Sequence, residues 1–165
     1  MPIHLTNRQR RFPIDMARLR ARAEACLKHL GIDHATLSVL LVNDRAMRRL
    51  NRDFRGINRP TDVLSFPMFE GSPAVVAATV AGVAEAHAEL GDVVISVETA
   101  HRQAAALGIP EDGELALLLA HGTLHLLGYD HETGPAGAAR MAAEEGRLLT
   151  ALGLTHPGLI ARADG

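Results

Sequence analysis

Aromatic residues are scarce in this chain: there is no tryptophan, one tyrosine and four phenylalanines among 165 residues. A core built from it must rest on Leu, Val, Ile and Ala, in keeping with a hydrophobic content of 47% against 22% charged residues. The single cysteine, Cys26, excludes an internal disulfide and a thiolate metal cluster and fits a reducing compartment. On a helix it reads as a small buried residue. Long apolar runs are missing too. The longest weakly polar stretch, residues 73–84 (PAVVAATVAGVA), falls short of the roughly 20 residues a membrane helix needs, and the first residues show no signal-peptide pattern. The expectation is a cytoplasmic protein with no membrane partner, and a length that suits one domain, residues 1–165.

The charge is nearly balanced overall, at −2, but not along the chain. Residues 1–59 hold 13 of the 17 basic and 5 of the 19 acidic side chains, which leaves +8 before Pro60 and −10 after it. Such asymmetry hints at an anionic partner, although halves of a sequence need not be halves in space.

Strand and helix signals alternate. Residues 2–6 suit a short strand, 14–30 a helix stopped by Gly31, and 36–42 a central β-branched strand. Asn43 or Asp44 can cap a helix over 45–54 that ends near Gly56. Strands follow at 62–66 and 91–96, then helices from Ser96 to 107, over 111–127 and from about 135 to 152. Residues 70–89 fit a helix, a hairpin or a loop. The architecture expected is α/β (α+β), a small mixed four-stranded sheet packed with about five helices.

Three of the nine histidines lie in 121-HGTLHLLGYDH-131. On a helix, His121 and His125 are four residues apart and share a face, so both rings can reach one ion about 2.0–2.1 Å from each nitrogen. Gly128 breaks the helix, and His131 can return from the turn as a third ligand. Three nitrogen donors suit one Zn(II) ion and leave a fourth position for water. The spacing matches the metalloprotease pattern H-E-x-x-H-x-x-G-x-x-H except that Gly122 stands where that pattern has its general-base Glu, so a zinc protease is a secondary reading. His101 could approach this site or simply pack; the remaining histidines show no joint spacing.

Arg45, Arg48, Arg49 and Arg52 fall at i, i+3, i+4 and i+7 on one helical face, and Arg55 and Arg59 extend the stripe into the next loop. Guanidinium groups so arranged can pair with several phosphates; a solvated face balanced by Asp44 and Asp53 is the other reading. Thr61 and Asp62 can hold the following loop by side-chain bonds to backbone.

Taken together, 50-LNRDFRGINRPTDVLSFP-67, 90-LGDVVIS-96, 121-HGTLHLLGYDH-131 and 141-MAAEEGRLL-149 resemble the YbeY endoribonuclease family of bacterial rRNA maturation factors. The resemblance implies a single α/β domain, zinc held by His121, His125 and His131, and a functional arginine at Arg55. It also implies single-strand-specific RNA cleavage in 16S rRNA 3′-end maturation and ribosome quality control. Ribosomal RNA, the small ribosomal subunit and a ribosomal protein or assembly GTPase are the partners it implies; Arg45, Arg48, Arg49, Arg52 and Arg59 are candidate RNA contacts. A ribosome-assembly factor with a structural zinc is a further reading. For the general base the acids in view are Asp130, Glu144 and Glu145. Asp130 is expected to orient a ligand histidine or make the turn, and Glu144 and Glu145 to cap charges or face solvent.

Overall fold

The computed structural model describes residues 3–84 and 88–163; Pro2 of the expected first strand and residues 85–87 of the ambiguous stretch lie outside them. The elements run β1 (Ile3–Asn7), α1 (Met16–His29), β2 (Thr36–Val42), α2 (Asp44–Arg55), β3 (Val63–Pro67), α3 (Pro73–Gly82), β4 (Glu89–Ser96), α4 (Val97–Leu107), α5 (Glu111–Leu126), α6 (Pro135–Ala151) and α7 (Leu159–Ala163). The strand order is β1-β2-β4-β3. β1, β2 and β4 are parallel, and β3 runs antiparallel to β4 at the edge. This is the mixed four-stranded sheet expected, with α3 and α7 added to the five anticipated helices.

Side chains alternate across the sheet, as the two-residue period of a strand requires. Leu37, Val39, Leu41, Val93 and Ile95 enter the main core with Leu118 and Leu119 of α5. Leu40, Val42 and Val94 face the other way and pack with Met47 of α2 and Leu64. α5 is buried over nearly its whole circumference, so it is apolar all round rather than striped. Cys26 and Met141 lie in a smaller cluster with Ala120, Leu124, Leu148 and Ile160; burial pushes the Cys26 thiol up to about 12.

The helix ends follow local chemistry. Asn43 accepts from Ala46 N at 2.9 Å and Ser96 caps α4 through Thr99 N, while Gly56 closes α2 at φ 70°. Asp44 ties α2 to α4. Burial alone would raise its carboxyl, but hydrogen bonds from Ser96, Thr99 and Arg102 outweigh that and hold it below the usual carboxylate range. α3 begins with Ser72 as cap and Pro73 in its first turn, and buries Val76 and Val80, four residues apart.

Candidate metal centre and its cleft

His121 and His125 stand on the last turns of α5 and face one side, the consequence of their four-residue spacing. The helix stops because Gly128 takes φ 94°, and a side chain there would run into the Gly71 carbonyl and the start of α3. Asp130 then turns the chain back: its Oδ1 accepts from Glu132 N at 2.8 Å. The turn brings His131 over the other two rings. The three ring centroids form a near-equilateral triangle with sides of 4.8, 5.1 and 5.2 Å.

Each ring offers one nitrogen, and these atoms all lie within 4.8 Å of one another. The donor chemistry fits a metal ion. His121 Nδ1 donates to Glu145 Oε2 at 2.7 Å, which leaves Nε2 for the shared space. Nδ1 of His131 is buried with no hydrogen-bond partner among the described residues. Burial, then the neighbouring His121 and His131, lower His125 to about 4 against the opposing pull of Asp130 and the Tyr129 backbone. That ring is therefore neutral near pH 7, the state that ligates.

The histidines line a cleft of about 640 Å³ whose wall includes Arg55, Asp62, Ser65, Tyr129 and Glu132. Arg55 is the last residue of α2, held at the rim by the Gly56 turn, and its guanidinium lies 3.7 Å from Glu132 across the opening. Of the six arginines singled out in sequence, Arg55 alone lines this cleft. Arg45, Arg48, Arg49, Arg52 and Arg59 are exposed outside it. Arg48 bonds Asn58 and Arg52 bonds Asp53. Part of the basic half of the sequence pairs with the acidic half: Arg18 and Arg22 with Asp112, and Arg11 with Glu98.

The acids distribute differently from expectation. Glu145, expected to cap a charge or face solvent, is fully buried against His121. Glu145, rather than Asp130, bonds a ring of the histidine cluster, and Asp130 makes the turn. Glu144 pairs with Arg147 one turn further along α6. Asp62 holds its loop through Val63 N at 2.8 Å, as expected, and also lines the cleft, which its role as a turn residue did not signal. His101 packs on Phe12 at 4.1 Å and bonds Glu111, away from the cleft lining.

Gly122 explains what the site is not. The helix there lies so close to the sheet that a Cβ would stand 2.6 Å from Val93 Cγ1, and Ser65 Oγ donates to its carbonyl at 2.9 Å. The position occupied by a general-base Glu in the metalloprotease pattern faces packed sheet here.

A helix-borne histidine pair, closed by a third histidine from the following turn and opening on a cleft, is the layout of a mononuclear metal centre with room for a further ligand. Residues 4–153 match the family model described as Endoribonuclease YbeY, and the chain belongs to that family. It is 45% identical over 153 residues to the Endoribonuclease YbeY of Geobacter sulfurreducens, covering 92% of this chain and 96% of that one. With the Endoribonuclease YbeY of Anaeromyxobacter dehalogenans it shares 50% over 142 residues, covering 86% of this chain and 67% of the other. A solution structure of a Thermotoga maritima protein shares the fold at a TM-score of 0.58 and 22% identity, over 91% of this chain and 88% of its own.

Proposed function

We propose that this chain is a zinc-dependent, single-strand-specific endoribonuclease that acts in 16S rRNA 3′-end maturation and ribosome quality control. It works as one domain, in the cytoplasm, on ribosomal RNA in contact with the small ribosomal subunit and a ribosomal protein or assembly GTPase. The observation that carries this reading is the placement of three converging histidines and one arginine on the walls of a single open cleft.

His121, His125 and His131 are the proposed ligands. Three imidazole nitrogens suit zinc better than the hard, oxygen-preferring cations. The bound ion supplies Lewis acidity to a phosphodiester in the cleft. Arg55 pairs with the phosphoryl oxygens and offsets the charge that grows on them during cleavage. Because Arg55 is only loosely held by Glu132 at 3.7 Å, a phosphate can take over that guanidinium. Arg45, Arg48, Arg49, Arg52 and Arg59 contact the RNA backbone outside the cleft, where their exposure on and after α2 leaves them accessible.

The reading as an assembly factor with a structural zinc calls for a closed ligand shell, whereas these histidines border open space. The protease reading lacks its carboxylate at Gly122. Metal content by mass spectrometry, paired with cleavage of a single-stranded RNA, tests the proposal on wild type, His125→Ala and Arg55→Ala. Wild type is expected to carry one zinc and cut. His125→Ala loses both metal and cleavage. Arg55→Ala keeps the metal and loses about 10²–10³ in rate, the usual cost of a transition-state charge donor. An Arg55→Ala protein that cuts at the wild-type rate removes Arg55 from the mechanism; a zinc-loaded wild type that leaves RNA uncut favours the structural role.

A further inference from the structure

Glu145 lies on α6, 24 residues beyond His121, and is completely buried, a costly place for a carboxylate. Its two oxygens have separate duties. Oε2 accepts from His121 Nδ1 at 2.7 Å, and Oε1 accepts from the backbone N of Ile160 at 3.0 Å, in the first turn of α7. Gly158 fits the remaining space so closely that a Cβ there would collide with Oε1. α7 is fastened a second time: Arg162 forks onto both oxygens of Glu114, also fully buried, at 2.9 Å each. Leu159, just ahead of the first fastening, lines the cleft beside the histidines.

We propose that Glu145 is the positioning residue of the three-histidine centre, and that the segment from Gly158 to Arg162 holds it in place, so that docking of α7 sets how well His121 presents Nε2. This rests on the metal-site reading above. An ionised carboxylate only accepts, so facing Nδ1 it fixes the tautomer with the proton on Nδ1 and the lone pair on Nε2. Without Glu145 the ring can exchange tautomers and rotate. Without α7, Oε1 loses the Ile160 N–H and Glu145 loses the Gly158 surface that keeps its rotamer.

Glu145→Gln separates the roles because an amide offers one acceptor and one donor: both bonds survive only if His121 shifts its proton to Nε2 and Nδ1 accepts, the tautomer that closes Nε2 to a metal, and otherwise one bond is lost. The test uses the full chain, with zinc affinity read by chelator competition and the His121 tautomer read by NMR of the ring nitrogens in metal-free protein. Glu145→Gln is expected to weaken zinc about 10- to 100-fold, the usual cost of removing the partner of a ligand histidine, and to turn a pure Nδ1–H tautomer into a mixture. Arg162→Ala touches no histidine; it is expected to speed hydrogen exchange at Ile160 and to weaken zinc by less than Glu145→Gln does. Unchanged zinc affinity and tautomer in Glu145→Gln overturn the positioning role. Unchanged affinity in Arg162→Ala with α7 visibly released overturns the role of the segment. Should Glu145→Gln fail to fold by circular dichroism, Arg162→Ala decides, with loss of zinc affinity supporting the coupling. If wild type binds no zinc, the metal-site reading falls by itself, and the tautomer comparison still decides whether Glu145 sets His121.

Discussion

Arg55 and Glu132 face each other across the mouth of the cleft at 3.7 Å, with side chains 46% and 64% exposed. An ion pair so open contributes little to stability, because water and salt screen it. Its effect is on access: an incoming phosphate must displace Glu132 and meets its negative charge on the way. Glu132→Gln removes that competitor and leaves the histidines alone. KM for a short single-stranded RNA is expected to fall about twofold to fivefold with kcat little changed, a gain of less than about 1 kcal/mol. Steady-state kinetics at low salt check it, and an unchanged KM would place the RNA path away from Glu132. The cluster of His121, His125 and His131 was legible at this scale because four-residue spacing and a helix-breaking glycine are local properties. Glu145 was not. It sits in the pair 144-EE-145, and which member turns inward depends on α6 packing against α5 and on the donor N–H of Ile160, fifteen residues further on.

α5 joins the core to the chemistry, and Gly122 is where the two demands meet. The helix needs buried apolar residues on every side, the metal site needs histidines at its end, and a glycine lets the helix settle onto β3 and β4 between them. Gly122→Ala places a methyl 2.6 Å from Val93 Cγ1 and 3.2 Å from both Ser65 Oγ and Val63 Cγ2. The better helix propensity of Ala returns about 1 kcal/mol, but overpacking of this kind costs about 1–3 kcal/mol, and the Ser65 bond to the Gly122 carbonyl must also adjust. The expected outcome is net destabilisation in urea unfolding with weaker zinc binding, since the helix end carries two ligands. A variant as stable as wild type would mean that α5 can retreat from the sheet without cost. Strand and helix positions were readable wherever periodicity or capping was strong: Asn43, Gly56, Ser96 and Gly108 mark ends that the structure keeps. α3 was ambiguous because Pro73–Gly82 is small and apolar with no polar stripe to set a period. α7 has five residues, too few to show any period, and is held by Glu145 and Glu114 rather than by its own pattern.

At the scale of the whole molecule, the contrast between a basic first part and an acidic remainder is offset only in part by pairing across the fold. Arg18, Arg22 and Arg11 meet Asp112 and Glu98, while Arg45, Arg48 and Arg49 stay exposed on α2. The proposed ion reaches as widely. Two ligands come from α5, a third from the loop before α6, and the partner of His121 comes from α6 with α7 attached. Binding there draws on native structure that the unfolded chain does not hold, so the ion stabilises the fold by mass action. With free zinc about 100-fold above its dissociation constant, the gain is about 2.7 kcal/mol. For a chain of this size each kcal/mol moves the melting temperature by about 2–4 °C, so chelator-treated wild type should melt about 5–10 °C below the zinc-loaded protein. His125→Ala should melt at nearly one temperature in both buffers, because two histidines hold the ion too weakly to fill the site. Equal melting of wild type with and without zinc would show that no ion prefers the native state, and the three histidines would then need another explanation for converging in one cleft.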